Sequence, residues 1–353
     1  MRSFGADPAL VGRHTAAYVA GLQSAGVGAC VKHFPGHGDT HVDSHLALPV
    51  VDAAPEVLRS RELVPFGAAV TAGAVAIMTS HVLLPALDPD LPATLSPTVL
   101  AVLRDELGFD GLVVSDAVDM RGASAGRGEP AAAVLALTAG CDLVCLGADK
   151  DAGLHARVVA AVVDAVRGGA LPEARLADAA DRVLAASRTI RSLQEVARTD
   201  VDDGASAEAA ERAVHVEGQL PPLVGATVLR LRTGTNIAVG HVPWGLPADG
   251  RVLAGRPVVD VLESTPHAEV PAAAGDGPVV ALARAPHRHP WAMALLRELA
   301  ARCPQLVTVE MGWPGDAVLP GAAVVTTYGA GRANGVALDR VLSGAPPVGQ
   351  SQT

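Results

Sequence analysis

The sequence predicts an α/β protein of two domains, each built on a largely parallel sheet covered by helices. Three observations predict it. Apolar runs of strand length alternate with amphipathic segments of helix length. The runs are apolar at consecutive positions rather than at every second one, as strands buried on both faces require. A chain of 353 residues, at about 150 residues per domain, has room for two such units. Repeated βα units leave two architectures open for the first domain, a barrel and a doubly wound sheet.

The elements follow in order. A helical pattern over 8–25 precedes a strand over 28–34, and a helix over 55–72 precedes a strand over 74–82. A helix over 96–107 leads to a strand over 111–118. The most apolar stretch, 131–148, has the hydropathy of a membrane span, but Gly140 breaks it and Asp142 charges it. It reads instead as a buried helix over 130–139 and a buried strand over 142–147. Helices over 152–167 and 172–193 close the region. The polar run Arg198-Thr199-Asp200-Val201-Asp202-Asp203-Gly204 is the linker, giving domains over 1–197 and 205–353. In the second domain, strands fall over 227–232, 237–242, 258–262, 279–283, 306–310 and 323–327, with a helix over 290–302.

Composition narrows the function. Half the chain is apolar, 18% is charged, and the net charge is −10. Such a chain forms a core, and it repels phosphate backbones and anionic lipid, so neither nucleic acid nor a membrane surface is an expected partner. Aromatic residues make up only 3%, which makes a sugar-binding module of exposed aromatic platforms hard to assemble. Cys30, Cys141, Cys145 and Cys303 sit in apolar stretches and read as small core residues. The first eight residues lack the apolar segment of a signal peptide. As it stands the chain is expected in the cytoplasm, although a longer N-terminus could carry a signal.

Polar chemistry is densest directly after the first strand, from Lys32-His33-Phe34-Pro35-Gly36-His37-Gly38-Asp39 to Asp43-Ser44-His45. Histidines at 33, 37, 41 and 45 have helix-face spacing, but Pro35, Gly36 and Gly38 preclude a helix, and no metal site is expected. Taken singly, each histidine is adequately explained as a loop residue bonding backbone. A Lys-His pair ending an apolar strand is unusual as scaffolding alone. His81 ends the second strand, which offers it two roles: a place on the same rim, in contact with substrate, or a bond to neighbouring backbone. Gly329-Ala330-Gly331-Arg332 lacks the dinucleotide spacing and reads as a strand-to-helix turn, so no cofactor is expected.

Lys-His-Phe-Pro-Gly-His-Gly over 32–38 and Asp-Ser-His-x-x-x-Pro ending at Pro49 resemble glycoside hydrolase family 3, in its bacterial β-N-acetylglucosaminidase branch. Arg2-Ser3-Phe4-Gly5 upstream and Gly108-Phe109-Asp110-Gly111-Leu112-Val113-Val114-Ser115-Asp116 downstream agree in order and spacing. The resemblance covers residues 2–195. It continues more loosely through Tyr328-Gly329 and the segment 342–349. It implies a TIM-type β/α barrel, here partial, followed by a smaller α/β sandwich domain.

The resemblance also implies roles. Asp116, at the carboxyl end of a strand where barrel enzymes place their chemistry, matches the nucleophile of a retaining mechanism. His45 matches the general acid/base, an imidazole that titrates near neutrality and can give and then take a proton. Asp43 would orient that imidazole. Arg2, Lys32 and His33 match positions that bind the sugar's hydroxyls. From their place after Asp116, Asp119 would shape the pocket wall and Met120 either that wall or the core, and His37 and Asp39 would stabilise the loop.

The implied activity is exo-hydrolysis of terminal β-linked N-acetylglucosamine in cell-wall turnover, with a glycan or muropeptide as substrate. A phosphorylase using the same residues is the nearest alternative, because a histidine, unlike a carboxylate, does not repel phosphate. A complete barrel takes eight βα units in about 250 residues. Four strands precede the linker, so a truncated, inactive barrel is the third expectation.

Overall fold

The computed structural model describes residues 4–40, 48–147, 150–197, 204–233, 242–254, 258–270 and 277–345. Internal contacts divide the chain into a unit over residues 2–200 and a unit over residues 201–353.

In the first unit, α1 (Pro8–Ser24) starts at Pro8 with Asp7 as its cap, the carboxylate accepting from Leu10 N at 2.6 Å. It leads into β1 (Cys30–Phe34). The predicted helix over 55–72 is α2 (Pro55–Val57), a π-helical turn over Leu58–Glu62, and α3 (Leu63–Thr71). Next come β2 (Ala76–Thr79), α4 (Pro97–Ala101) with its own π-helical turn at Val102–Glu106, and β3 (Leu112–Val114). The unit continues through α5 (Arg121–Ser124), α6 (Glu129–Ala139), α7 (Ala152–Arg167) and α8 (Glu173–Glu195).

The three strands form a parallel sheet in chain order, with Val31 beside Ile77 and Ile77 beside Val113. Phe34, Ile77 and Val113 are each at most 1% exposed and pack with Phe66, Val99, Leu100 and Leu103 in one cluster. Phe34 meets Phe66 edge to face, with centroids 5.2 Å apart. Such a pair is worth about 0.5–1.5 kcal/mol beyond its burial. On the alternate face, Cys30 is exposed and Met78 and Val114 are partly so. The sheet is an arc of barrel covered on its outer side.

The fourth predicted strand is corrected. Residues 142–147 make a single parallel bridge, Val114 to Leu143. Cys145 N–H is taken by the Ser115 hydroxyl at 2.9 Å in place of a strand carbonyl, which interrupts the ladder. Asp142 is held instead by side chains. Its carboxylate accepts from Arg104 at 2.6 Å, Arg175 at 2.6 Å and Val113 N at 2.9 Å, and is fully buried. The charge that excluded a membrane span thus cross-links β3 to α8. Among the described residues, no helix is long and apolar enough to cross a membrane.

The second unit begins with α9 (Gly204–Ala213) and β4 (His215–Gly218), neither foreseen, followed by β5 (Thr227–Leu231) and β6 (Val259–Val261). Then come β7 (Val279–Ala283), α10 (Pro290–Arg302), β8 (Leu306–Glu310), β9 (Ala323–Thr326) and α11 (Arg332–Leu342). The strand expected over 237–242 falls almost wholly outside the described residues. The sheet order is β4-β9-β8-β7-β5-β6, parallel except for β4. Leu229, Val279, Ala281 and Leu306 pack toward Leu295 and Leu296 of α10; Val280, Leu282, Val307 and Val325 pack toward Leu338 of α11. Apolar cover on both faces is what made these strands consecutive apolar runs.

Candidate active site

The carboxyl ends of β1, β2 and β3 bring together His33, Thr79, His81 and Asp116. The ladders run to Phe34 beside Thr79 and Met78 beside Val114, with a register shift between Val31 and Phe34 where His33 sits.

Asp116 lies two residues past β3, its side chain 17% exposed. The backbone fixes its rotamer, with Oδ1 accepting from Ala117 N at 2.8 Å. His33 Nε2 stands 3.9 Å from Oδ2, an ion pair when the imidazole is protonated. The His33 ring meets His37 edge-on at 6.2 Å, and His37 Nδ1 lies 3.0 Å from the Thr40 hydroxyl.

A chain of hydroxyls, missed in the sequence, anchors the nucleophile candidate. Asp116 N–H donates to Thr79 Oγ1 at 3.3 Å. Thr79 and Thr94 hydroxyls are 2.7 Å apart, and Thr94 donates its proton to Ser80 O at 2.9 Å. Thr79 must therefore donate to Thr94, leaving its own lone pair for Asp116. Both threonines are 0% exposed, and a buried satisfied network of this kind fixes geometry. The available signal was the run Met78-Thr79-Ser80-His81, polar at the end of an apolar strand.

His81 makes the backbone bond that was one of the two roles offered to it. It is 0% exposed, and Nε2 lies 2.8 Å from Ala117 O. A carbonyl only accepts, so Nε2 carries the proton and donates. Burial pushes the imidazole below its usual titration range, the Ala117 bond and the charges of Asp116 and Asp119 opposing. The ring has no exposed surface, and Gly122 packs so closely that an added Cβ would stand 2.7 Å from His81 Cβ.

Lys32 is exposed on β1. Asp119 pairs with Lys150 at 2.8 Å and Met120 is buried, so both brace the loop after β3. Asp39 pairs with Arg61 at 2.7 Å on the loop after β1. Arg2, Asp43 and His45 lie outside the described residues. Among the described residues, no group of three His, Cys, Asp or Glu side chains is placed to hold a metal.

Residues 1–186 match the glycosyl hydrolase family 3 N terminal domain. The chain belongs to glycoside hydrolase family 3. Family relatives include a beta-hexosaminidase of Stenotrophomonas maltophilia, 44% identical over 158 residues, covering 44% of this chain and 47% of that one. Another, from Xanthomonas campestris pv. campestris, is 40% identical over 180 residues, covering 50% and 51%. The chain thus spans about half the length of the curated relatives it matches. Among solved structures, a glycoside hydrolase family 3 beta-N-acetylglucosaminidase from a Paenibacillus species superimposes with a TM-score of 0.79 at 30% identity, covering 97% of this chain and 70% of that one. The family fold is a TIM barrel with an α/β sandwich, and the two parallel sheets here are parts of it.

Proposed function

We propose that the chain acts as a retaining exo-β-N-acetylhexosaminidase on terminal N-acetylglucosamine of a glycan or muropeptide in cell-wall turnover. One observation carries the reading: a partly exposed carboxylate, Asp116, locked by backbone at a strand end with one oxygen held and the other turned to His33.

The chemistry runs in two steps. Asp116 Oδ2 bonds to the anomeric carbon while the glycosidic C–O bond breaks, and the leaving oxygen takes a proton from His45. A water then gives that proton back to His45 and attacks the anomeric carbon, releasing Asp116 and retaining configuration. His33, beside Oδ2, restrains the carboxylate and offers a donor to a ring hydroxyl. Arg2 and Lys32 keep the hydroxyl-binding role, and Asp43 the role of orienting the His45 ring, that the family resemblance implies.

The test is release of an aryl alcohol from an aryl N-acetyl-β-glucosaminide, with and without phosphate. Turnover by the chain and its loss in Asp116→Asn support the reading. Appearance of a sugar phosphate would replace hydrolysis by phosphorolysis, and no turnover by the unaltered chain would leave the inactive-barrel reading standing.

A further inference from the structure

The chain has few aromatic residues, yet two of its five Trp and Tyr residues meet on one surface of the second unit. Trp313 follows β8 and Tyr328 follows β9. Their rings are 5.8 Å apart at 69°, and the residues are 48% and 46% exposed. They stand at the carboxyl edge of a parallel sheet. That edge also holds the topological switch point, where the chain leaves β5 for β6 on one side and returns to β7 on the other. Ligands of open α/β sheets bind outside the carboxyl edge at such a switch point, and the pair stands on the same edge at β8 and β9.

The loops carrying the pair are built rigidly. Glu310, 0% exposed at the end of β8, accepts from Ala285 N at 2.8 Å and Gly312 N at 2.6 Å through one oxygen. This ties the loop after β7 to the residue preceding Trp313. Gly312 has no room for a side chain, since a Cβ would stand 2.9 Å from Glu310 Oε1. Tyr328 is left-handed at φ 52, spanned by the Thr327 hydroxyl donating to Gly329 O at 2.7 Å. Ala285 is left-handed too, at φ 48. Strained non-glycine residues, here on the loops after β7 and β9, persist where the surroundings impose them, and they concentrate at ligand sites.

Two half-exposed aromatic rings on braced loops suit a ligand with one apolar face and hydroxyls around it. A phosphate ligand fits poorly. The chain is acidic overall, and the nearby start of α11 is already capped, Gly331 N donating to Asn334 Oδ1 at 3.2 Å. We infer that Trp313 and Tyr328 form a saccharide-binding platform on the second unit, which takes a β-linked N-acetylglucosamine oligosaccharide. The identity of the sugar rests on the hexosaminidase reading; the existence of the platform does not.

The probe is N-acetylchitotetraose, titrated calorimetrically into the full chain and into Trp313→Ala, Tyr328→Ala and Trp313→Phe. Expected is saturable association, weakened at least tenfold by either alanine and largely retained with phenylalanine. Both rings are on the surface, so circular dichroism should show each variant folded. Equal affinity in Trp313→Ala, or no association with the unaltered chain, overturns the platform. Aryl-glucosaminide turnover separates the two readings. Binding that depends on Trp313 without turnover removes only the catalytic reading, whereas turnover with binding indifferent to Trp313 removes only the platform.

Discussion

His81 Nε2 donates to the carbonyl oxygen of Ala117 across 2.8 Å, joining the end of β2 to the residue after Asp116. The donor is neutral because burial holds the imidazole below its ordinary range. Its folded value is depressed, so its contribution to stability is present above the unfolded value of about 6.5 and is lost as pH falls below it. The thermal midpoint of the first unit should therefore drop as pH goes from 7 toward 5. In His81→Gln, whose amide donates without titrating, that slope should flatten. An unchanged slope would assign the pH dependence to other histidines.

Thr79 holds Asp116 by its main chain. Thr79→Val keeps shape but leaves Asp116 N–H without its acceptor and removes the bond that the Thr94 hydroxyl accepts. Losing one such buried bond costs about 1–3 kcal/mol. Where that cost falls on the positioning of Asp116, kcat/KM on an aryl N-acetylglucosaminide should fall about tenfold, at roughly 1.4 kcal/mol per decade. Thr79→Ser should retain most activity. A valine variant as active as the serine variant would show that the hydroxyl chain does not position Asp116.

Asp142 concentrates stability in one side chain. Its buried carboxylate accepts from two arginines and one backbone amide. Asp142→Ala leaves Arg104 and Arg175 facing each other without their shared anion, and breaking such a buried pair costs about 3–5 kcal/mol. Urea denaturation followed by circular dichroism should show the first unit unfolding at markedly lower urea. A shift no larger than that of Arg59→Ala, which breaks an exposed pair with Glu106, would mean the network is worth little.

Which features were legible in the sequence follows from how local each one is. β7 and β8 are visible because burial on both faces makes consecutive residues apolar, and β1, β2 and β3 because each carries a short apolar run with one face in the core. β4, His-Val-Glu-Gly, is not, since it pairs antiparallel at the sheet's edge and stays largely exposed. Asp116 and His33 could be singled out because each ends a strand within a long motif. The Thr79–Thr94 contact could not, because 15 residues separate two hydroxyls that only the fold brings together. The same holds for Trp313 and Tyr328. Their rings meet only because β8 and β9 are neighbours in the sheet, which composition cannot show.

Glu310 separates acceptor geometry from charge. Burial raises its carboxyl above the ordinary range, while the amides of Ala285 and Gly312 and the charge of Arg284 act against it. Its second oxygen is buried with no hydrogen-bond partner. With the folded value raised, the folded state favours the protonated acid. That contribution is present below the unfolded value of about 4.3 and is lost as pH rises through the folded one. Glu310→Gln keeps an oxygen for both amides and cannot ionise, so at pH 8 it should melt above the unaltered chain and near pH 4 the difference should vanish. Glu310→Ala removes the acceptor and should lower stability by about 1–3 kcal/mol at either pH. Thermal melts followed by tryptophan fluorescence check both. A glutamine variant less stable than the parent at pH 8 would mean that the carboxylate's charge itself holds these loops.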